Sequence, residues 1–386
     1  MKTWKKIAIS AGTTALVLSS CVSVFAVAET SNEDITDHSQ ARSVARDNDD
    51  MRATNVSDGI RFANVDVGVA NTGFNSQNRN EDENLTESSG ADAYWETANF
   101  ANVNETEFGE SSGATASNDT VDDHSGDVAG GAPGGPVTAI ADDSDVYRVN
   151  NTNTRTRLFN VTASVANTGL NDQNGNEDLN NMTAGTAMST SYAGNVVNDN
   201  YTMIGSGDSE TADAYNESIT DHSQTRAEAY DNDNVGVNNT NAGTSLVNVT
   251  ASVANSGLNN QNGNEDENTM ETGATDAYVE TANFVNVNET VVDTGSSAEA
   301  SNENVDDHSE AVAIAEDNDT VRVSNTNTRT RVLNVSVSVA NSGGNDQNGN
   351  EDGNSMKTGT AVVTGKTANV VNANQTYVGV TPEPAE

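Results

Sequence analysis

Cysteine is all but absent. The single Cys21 has no partner, so no disulfide holds the chain together. Aromatic residues make up 4% and hydrophobic residues 34%, which is lean for a core of this length and invites a disordered reading. Lysine is scarce too: after residue 28 only Lys357 and Lys366 occur, and the other basic residues are Arg. The formal net charge is −41, and removing residues 1–28, with three Lys and no acid, takes it to −44. Nucleic acid and anionic lipid are therefore poor partners. Such a surface repels itself over roughly 10 Å at 0.1 M salt, so more salt or bound divalent cations should favour the fold. No P-loop, dinucleotide fingerprint, paired Cys or GxSxG turn occurs.

The first residues have the form of an export signal. Lys2, Lys5 and Lys6 precede an apolar run, and Ala26-Val27-Ala28 supplies small residues for cleavage after Ala28. This run is read as removed, so no membrane span is expected. Leu18-Ser19-Ser20-Cys21 offers the alternative of lipidation at Cys21. Either way the expected location is secreted or cell-surface.

Repetition replaces the missing grease as the main signal. All four histidines stand in Asp-His-Ser triplets, and His38 to His222 and His124 to His308 both span 184 residues. The units are about 90 residues long: 29–116, 117–213, 214–300 and 301–379, with a tail at 380–386. Each carries an acidic stretch such as Asp231-Asn232-Asp233 or Asp317-Asn318-Asp319. A run ending in Val-Ala-Asn-(Thr/Ser)-Gly follows, then a polar cluster, then Asn-x-x-Asn-x-Asn. From the Asn of that run (71, 167, 255, 341) to the first Asn of the last motif (99, 195, 283, 369) is 28 residues in every unit. Unit two carries an extra Gly-Pro-rich segment at 130–136, read as an extruded loop.

The run before Val-Ala-Asn alternates with period two, as in Asn160-Val161-Thr162-Ala163-Ser164-Val165-Ala166-Asn167. No helical period is sustained after residue 28. The alternation predicts half-buried strands with Val and Ala inside and Ser, Thr and Asn outside. Burying a Val contributes roughly 1.5–3 kcal/mol, while fixing each residue's backbone costs roughly 1–2 kcal/mol. One unit alone should be marginal, which favours an all-β solenoid of stacked coils with Asn ladders at the corners. Four tandem β-sandwich modules are the alternative. Such modules usually build on a large aromatic, and Trp95 is the only Trp after the signal, with Val279 as its counterpart 184 residues on.

Asp-His-Ser cannot act as a local triad, because a strand would point Asp37 and Ser39 away from His38. The polar clusters are the better candidates, because Ca²⁺ takes six to eight hard oxygens. The candidate ligands are Asp172, Asn174, Asn176 and Asp178 in unit two, and Asn264 and Asp266 in unit three. In unit four they are Asp346, Asn348, Asn350 and Asp352. The EF-hand spacing is not matched, and Arg79 in unit one stands where the other units have Gly, so unit one should bind worst. The bland reading is a solvated turn. Sequons occur at Asn84, Asn160, Asn248 and Asn334, and the last three hold equivalent positions at the strand start, which a structural role also explains.

The Gln-Asn-Gly-Asn core at Gln261 to Asn264 and Gln347 to Asn350 resembles curlin repeats, which build bacterial surface fibres from stacked Gln/Asn ladders. Curlin units are far shorter and space these residues differently. The chain also resembles Asn/Thr/Gly-rich repeat proteins of bacterial surfaces. Neither resemblance supplies a catalytic residue. The expectation is a secreted or cell-surface structural or adhesive protein without catalytic activity. It would require no cofactor and would meet surface or matrix components or further copies of itself. The second reading is a Ca²⁺-binding matrix or surface-layer component, using the polar clusters and the Asp-Asn-Asp stretches. A polysaccharide-active β-helix enzyme is the third, with Tyr94-Trp95 as its sugar platform.

Overall fold

A computed structural model describes residues 28–379, except 34–40, 48, 109–112, 120–126, 129–131, 134–136, 206–210, 221–223, 294, 296 and 307–308. Among the described residues all regular structure is strand. Seven strands make the first coil: β1 (Ala28–Asn32), β2 (Arg42–Arg46), β3 (Asp50–Asp58), β4 (Arg61–Asn71), β5 (Ser76–Asn78), β6 (Asn84–Ser88) and β7 (Ala91–Phe108). Each is the edge of a sheet whose other members come from the later repeats. The β4 sheet, for example, continues through Arg157–Asn167, Ser245–Asn255 and Arg331–Asn341. All these pairings are parallel and in register: Asn64 lies beside Asn160, Asn160 beside Asn248, and Asn248 beside Asn334. This is consistent with a β-solenoid. Tandem sandwich modules do not account for it, because their strands pair antiparallel within each module.

The step between coils is 96 residues from Asn55 to Asn151, 88 to Asn239 and 86 to Asn325. The longer first step contains the Gly-Pro-rich segment, where Asp127–Val128 and Ala132–Pro133 form a small antiparallel hairpin outside the stack. Each coil is flattened. The long β7 strand returns against β4 and β3, and β1 packs on β2. The fill is thin. Between the β1 and β2 sheets the apolar cluster is entirely alanine, including Ala114, Ala116, Ala139, Ala141, Ala212 and Ala227. Larger residues gather between β3 and the far half of β7, among them Tyr147, Phe108, Ile204 and Val237, and between β4 and β7, among them Leu158, Val197, Leu246 and Val285.

The β4 sheet corrects the expected sidedness. Its strands do alternate, but Asn160, Thr162 and Ser164 are buried while Val161, Ala163 and Val165 face outward. In the first coil Val65 is 66% and Val69 68% exposed. The reason lies across the gap, where β7 presents the Asn-x-x-Asn-x-Asn motif. Asn195 donates to Asn248 at 3.1 Å and Asn283 at 2.8 Å, and accepts from Asn99 at 2.9 Å and Asn160 at 2.7 Å. Both N–H groups and both carbonyl lone pairs are used, so burying the amide leaves nothing unsatisfied. Two Asn columns, one per sheet, thus interlock along the whole stack. The outward Val columns keep the branched residues that suit a pleated strand.

The second Asn of the motif bends β7. Asn102, Asn198, Asn286 and Asn372 all lie in the left-handed region, at φ 55, 54, 56 and 56. Asn tolerates that region better than most residues, and these side chains form a column of their own. The third, Asn104 and its equivalents, then faces the β3 sheet, as in Asn153 to Asn200 at 3.1 Å.

The Gly of Val-Ala-Asn-(Thr/Ser)-Gly is required by the approach of neighbouring coils. A Cβ on Gly169 would sit 2.0 Å from the carbonyl oxygen of Gly257, and one on Gly257 would sit 2.0 Å from that of Gly343. Gly169→Ala should therefore force two backbones apart and cost about 1–3 kcal/mol or more. Gly194→Ala, where an added Cβ meets nothing within 4 Å, should cost far less. Urea melts of the two variants compare them directly; equal midpoints would contradict the close-approach explanation.

Candidate functional site

The polar clusters form the corner after β4, and most of their amides belong to the scaffold. Gln77, Gln173, Gln261 and Gln347 point inward as a column, with Gln261 donating to Gln173 at 2.9 Å and Gln347 to Gln261 at 2.8 Å. The Asn176 and Asn264 carbonyls accept from the backbone N–H of Asn80 and Asn176, each at 2.9 Å. Their amide groups donate to the backbone carbonyls of Gln77 and Gln173. Asn350 repeats the pattern with Asn264 and Gln261. The Asn174 carbonyl takes the Asn262 N–H at 2.8 Å, and Asn348 donates through its backbone to Asn262. Asp172 and Asp346 accept from Asn174 and Asn348.

Asp178, Asp266 and Asp352 complete the candidate ligands, and all three are exposed. With Asp82, Glu83 and Glu267 they line a shallow groove running along the stack. The turns explain the Gly of these clusters: Gly175, Gly263 and Gly349 have φ of 66, 67 and 66, and Arg79 takes φ 59 in their place.

A second acidic corner lies between β2 and β3, on the Asp-Asn-Asp stretches. Asp47, Asp143, Asp231 and Asp317 stand at one level, and Asp49, Asp145, Asp233 and Asp319 at another. The second set bonds along the axis: the Asp49 N–H donates to Asp145 at 2.7 Å, that of Asp145 to Asp233 at 2.9 Å, and that of Asp233 to Asp319 at 3.0 Å. Asp231, Asp233 and Asp319 bring carboxylate oxygens within 4.8 Å of one another, the first two buried. This is the tightest grouping of hard oxygen ligands among the described residues, and its chemistry suits a hard divalent cation. Sequence reasoning offered the Asp-Asn-Asp stretches for cation binding too, but took all its named ligands from the polar clusters. The Asp-Asn-Asp recurrence was the available signal, but only the register shows that acids of different coils converge.

Burial, followed by the neighbouring acids Asp145 and Asp47, pushes the Asp49 carboxyl above its ordinary 3.8. Burial and then Asp319 do the same to Asp317, and burial and then Glu299 to Asp213. Folding therefore disfavours the charged form of these groups. The stability they contribute is complete below 3.8 and is lost as pH rises through their raised folded values. Thermal midpoints from scanning calorimetry should accordingly rise on acidification from pH 7 to about pH 4. A midpoint that falls steadily over that interval would contradict the assignment.

The aromatic pair divides between faces. Tyr94 points outward and stacks with Tyr192 at 5.6 Å, which stacks with Tyr278 at 5.4 Å, and Lys366 caps the row 5.2 Å above Tyr278. Burial and the bond to Glu96 push the Tyr94 hydroxyl up to about 12. Trp95 turns toward β4 instead, where a Cβ on Gly68 would lie 3.2 Å from its ring. The two rings do not form one platform. The four histidines and Cys21 lie outside the described residues.

No protein-family model, curated protein or solved structure matches this chain. No helix among the described residues is long and apolar enough to cross a membrane.

Proposed function

We propose that this is a secreted or cell-surface structural protein of the β-solenoid type, without catalytic activity. One observation carries the reading: the polar side chains that could do chemistry inside each coil are used by the same side chains in the next. The Asn195 amide, with four amide partners in three coils, is typical. A binding or catalytic centre needs polar groups aimed at a ligand, whereas these are aimed along the axis. The likeness to curlin-type subunits agrees with the Gln columns. The basic and apolar start of the chain supports export, with the acidic surface facing the medium. Fractionation of producing cells tests this, with mass spectrometry of the mature N-terminus. The expected product is extracellular or surface-held and begins at Glu29 or at a lipidated Cys21. An uncleaved chain confined to the cytosol would refute the proposal.

The acidic corners favour a second reading, a Ca²⁺-binding matrix or surface-layer component, with Asp231, Asp233 and Asp319 as the first ligands. Calorimetric titration with Ca²⁺ should then give binding heat that Asp233→Asn removes. No heat and no thermal stabilisation at millimolar Ca²⁺ would discard it.

A further inference from the structure

Among the described residues the stack is open at both ends. The strands of the first coil, and those of the fourth, pair on one side only among the described residues. Such edges expose backbone donors and acceptors to any strand of matching direction and register. We propose that the occupant is a second copy of this chain. The fourth coil of one molecule pairs with the first coil of the next, parallel and in register, where a fifth coil would stand.

Three features of the ends fit each other. The first is the direction of the amide columns. In the columns beginning at Asn55, Asn99 and Asn104, each amide N–H donates to the following coil, as from Asn99 to Asn195 and Asn283 to Asn369. These columns therefore end on carbonyl oxygens at the first coil and on N–H groups at the fourth. Stacking tail on head joins donor to acceptor, whereas head on head would face acceptors with acceptors.

The second feature is charge. The only lysines after residue 28, Lys357 and Lys366, are both in the fourth coil. The Lys357 column runs through Glu271 and Thr183 to Glu87. The Lys366 column runs through Glu280 and Tyr192 to Glu96. Inside the chain Lys357 already pairs with Glu271 across one coil step. At the joint both lysines would meet glutamates again. Glu316 likewise shares a column with Arg46. The acid columns that would stack at the joint, Asp317 on Asp47 and Asp319 on Asp49, continue a pattern the chain already tolerates internally.

The third feature is shape. Trp95, the bulkiest inward side chain of the first coil, is still 37% exposed at that end. Its column ends at Gly365 in the fourth coil, where an added Cβ would meet nothing within 4 Å. The largest side chain at one end would thus face the smallest at the other. A contact of this head-to-tail kind does not close on itself, so it propagates as a filament. The proposal concerns the ends of the stack and does not depend on where the protein works.

Charge-swapped variants of the full chain test it. Lys357→Glu/Lys366→Glu and Glu87→Lys/Glu96→Lys each place like charges at a self-joint. Mixed one to one, they restore opposite charges at every alternating joint. Sedimentation and electron microscopy should show wild type forming filaments at 0.15 M NaCl. Each variant alone, with its circular dichroism intact, should assemble at least about tenfold more slowly. The mixture should recover. Should a reversal prove unable to fold, Lys357→Gln/Lys366→Gln provides the slowed joint. A monomeric wild type, variants that assemble alone at the wild-type rate, or a mixture that fails to recover would each overturn the proposal.

Discussion

Asn195→Leu is expected to be the most damaging single substitution in the stack. Leu keeps the branching of Asn at Cγ with bulkier methyl groups, and makes none of its hydrogen bonds. The change would strand the amides of Asn99 and Asn160 and the carbonyls of Asn248 and Asn283, all of them buried or in the buried columns. Some relief exists, because Asn160 also donates to Asn248 at 2.9 Å and Asn99 to Asn160 at 3.2 Å. Leaving a buried polar group unsatisfied costs about 1–3 kcal/mol, so the loss should reach about 3–5 kcal/mol, a large part of a typical fold's total. Asn369→Leu, at the exposed end of the same column, should cost less, because water can reach what it leaves behind. Chemical denaturation followed by circular dichroism gives both values. If Asn195→Leu shifts stability by less than about 1 kcal/mol, the columns do not hold the stack together.

The second large effect concerns a coil by itself. Residues 211–292 hold the strands of the third coil, yet in the sheets these pair only with strands of the second and fourth coils. Removed from the stack, this segment would lose its sheet hydrogen bonds and both sides of every amide column at once. What remains is a thin fill, mostly of Ala and Val, and a few amide bonds within the coil such as Asn248 to Asn283, too little to offset roughly 1–2 kcal/mol of backbone entropy per residue. The isolated segment should show no cooperative thermal transition, while the four-coil chain melts as a unit. A lone coil that melts at the temperature of the full chain would refute the stacked fold itself. The two expectations share one cause: the contacts that stabilise each residue lie about 90 positions away in sequence, as from Asn151 to Asn239.

Much of this was legible in the residues. Equal spacing between Asn71 and Asn99 and between their counterparts implied a fixed backbone path, and the parallel register follows that spacing. The alternation in residues 160–167 marked a strand, and the Gly-Pro-rich insert marked the neighbourhood of the one antiparallel strand pair among the described residues. Asn ladders were anticipated at the coil corners. In the structure many of them fill the middle of the coil.

Which face of that strand is buried could not be read from the strand. Val161 outside and Asn160 inside contradict any hydropathy rule applied to one segment, because hydropathy assumes that a buried amide lacks partners. The partners of Asn160 are Asn64, Asn99, Asn195 and Asn248, each on another strand. The acidic grouping has the same origin: Asp319 joins Asp231 and Asp233 only across a coil step.

From its residues alone, then, this protein was determined to be a repetitive, acidic strand protein without disulfides, since period, composition and turn chemistry are local properties. Only the tertiary structure decided what lies inside, which acids converge, and that the two ends match. Those depend on which residues come to lie one coil apart, and a polar side chain is buried or exposed according to whether an identical neighbour there completes its hydrogen bonds.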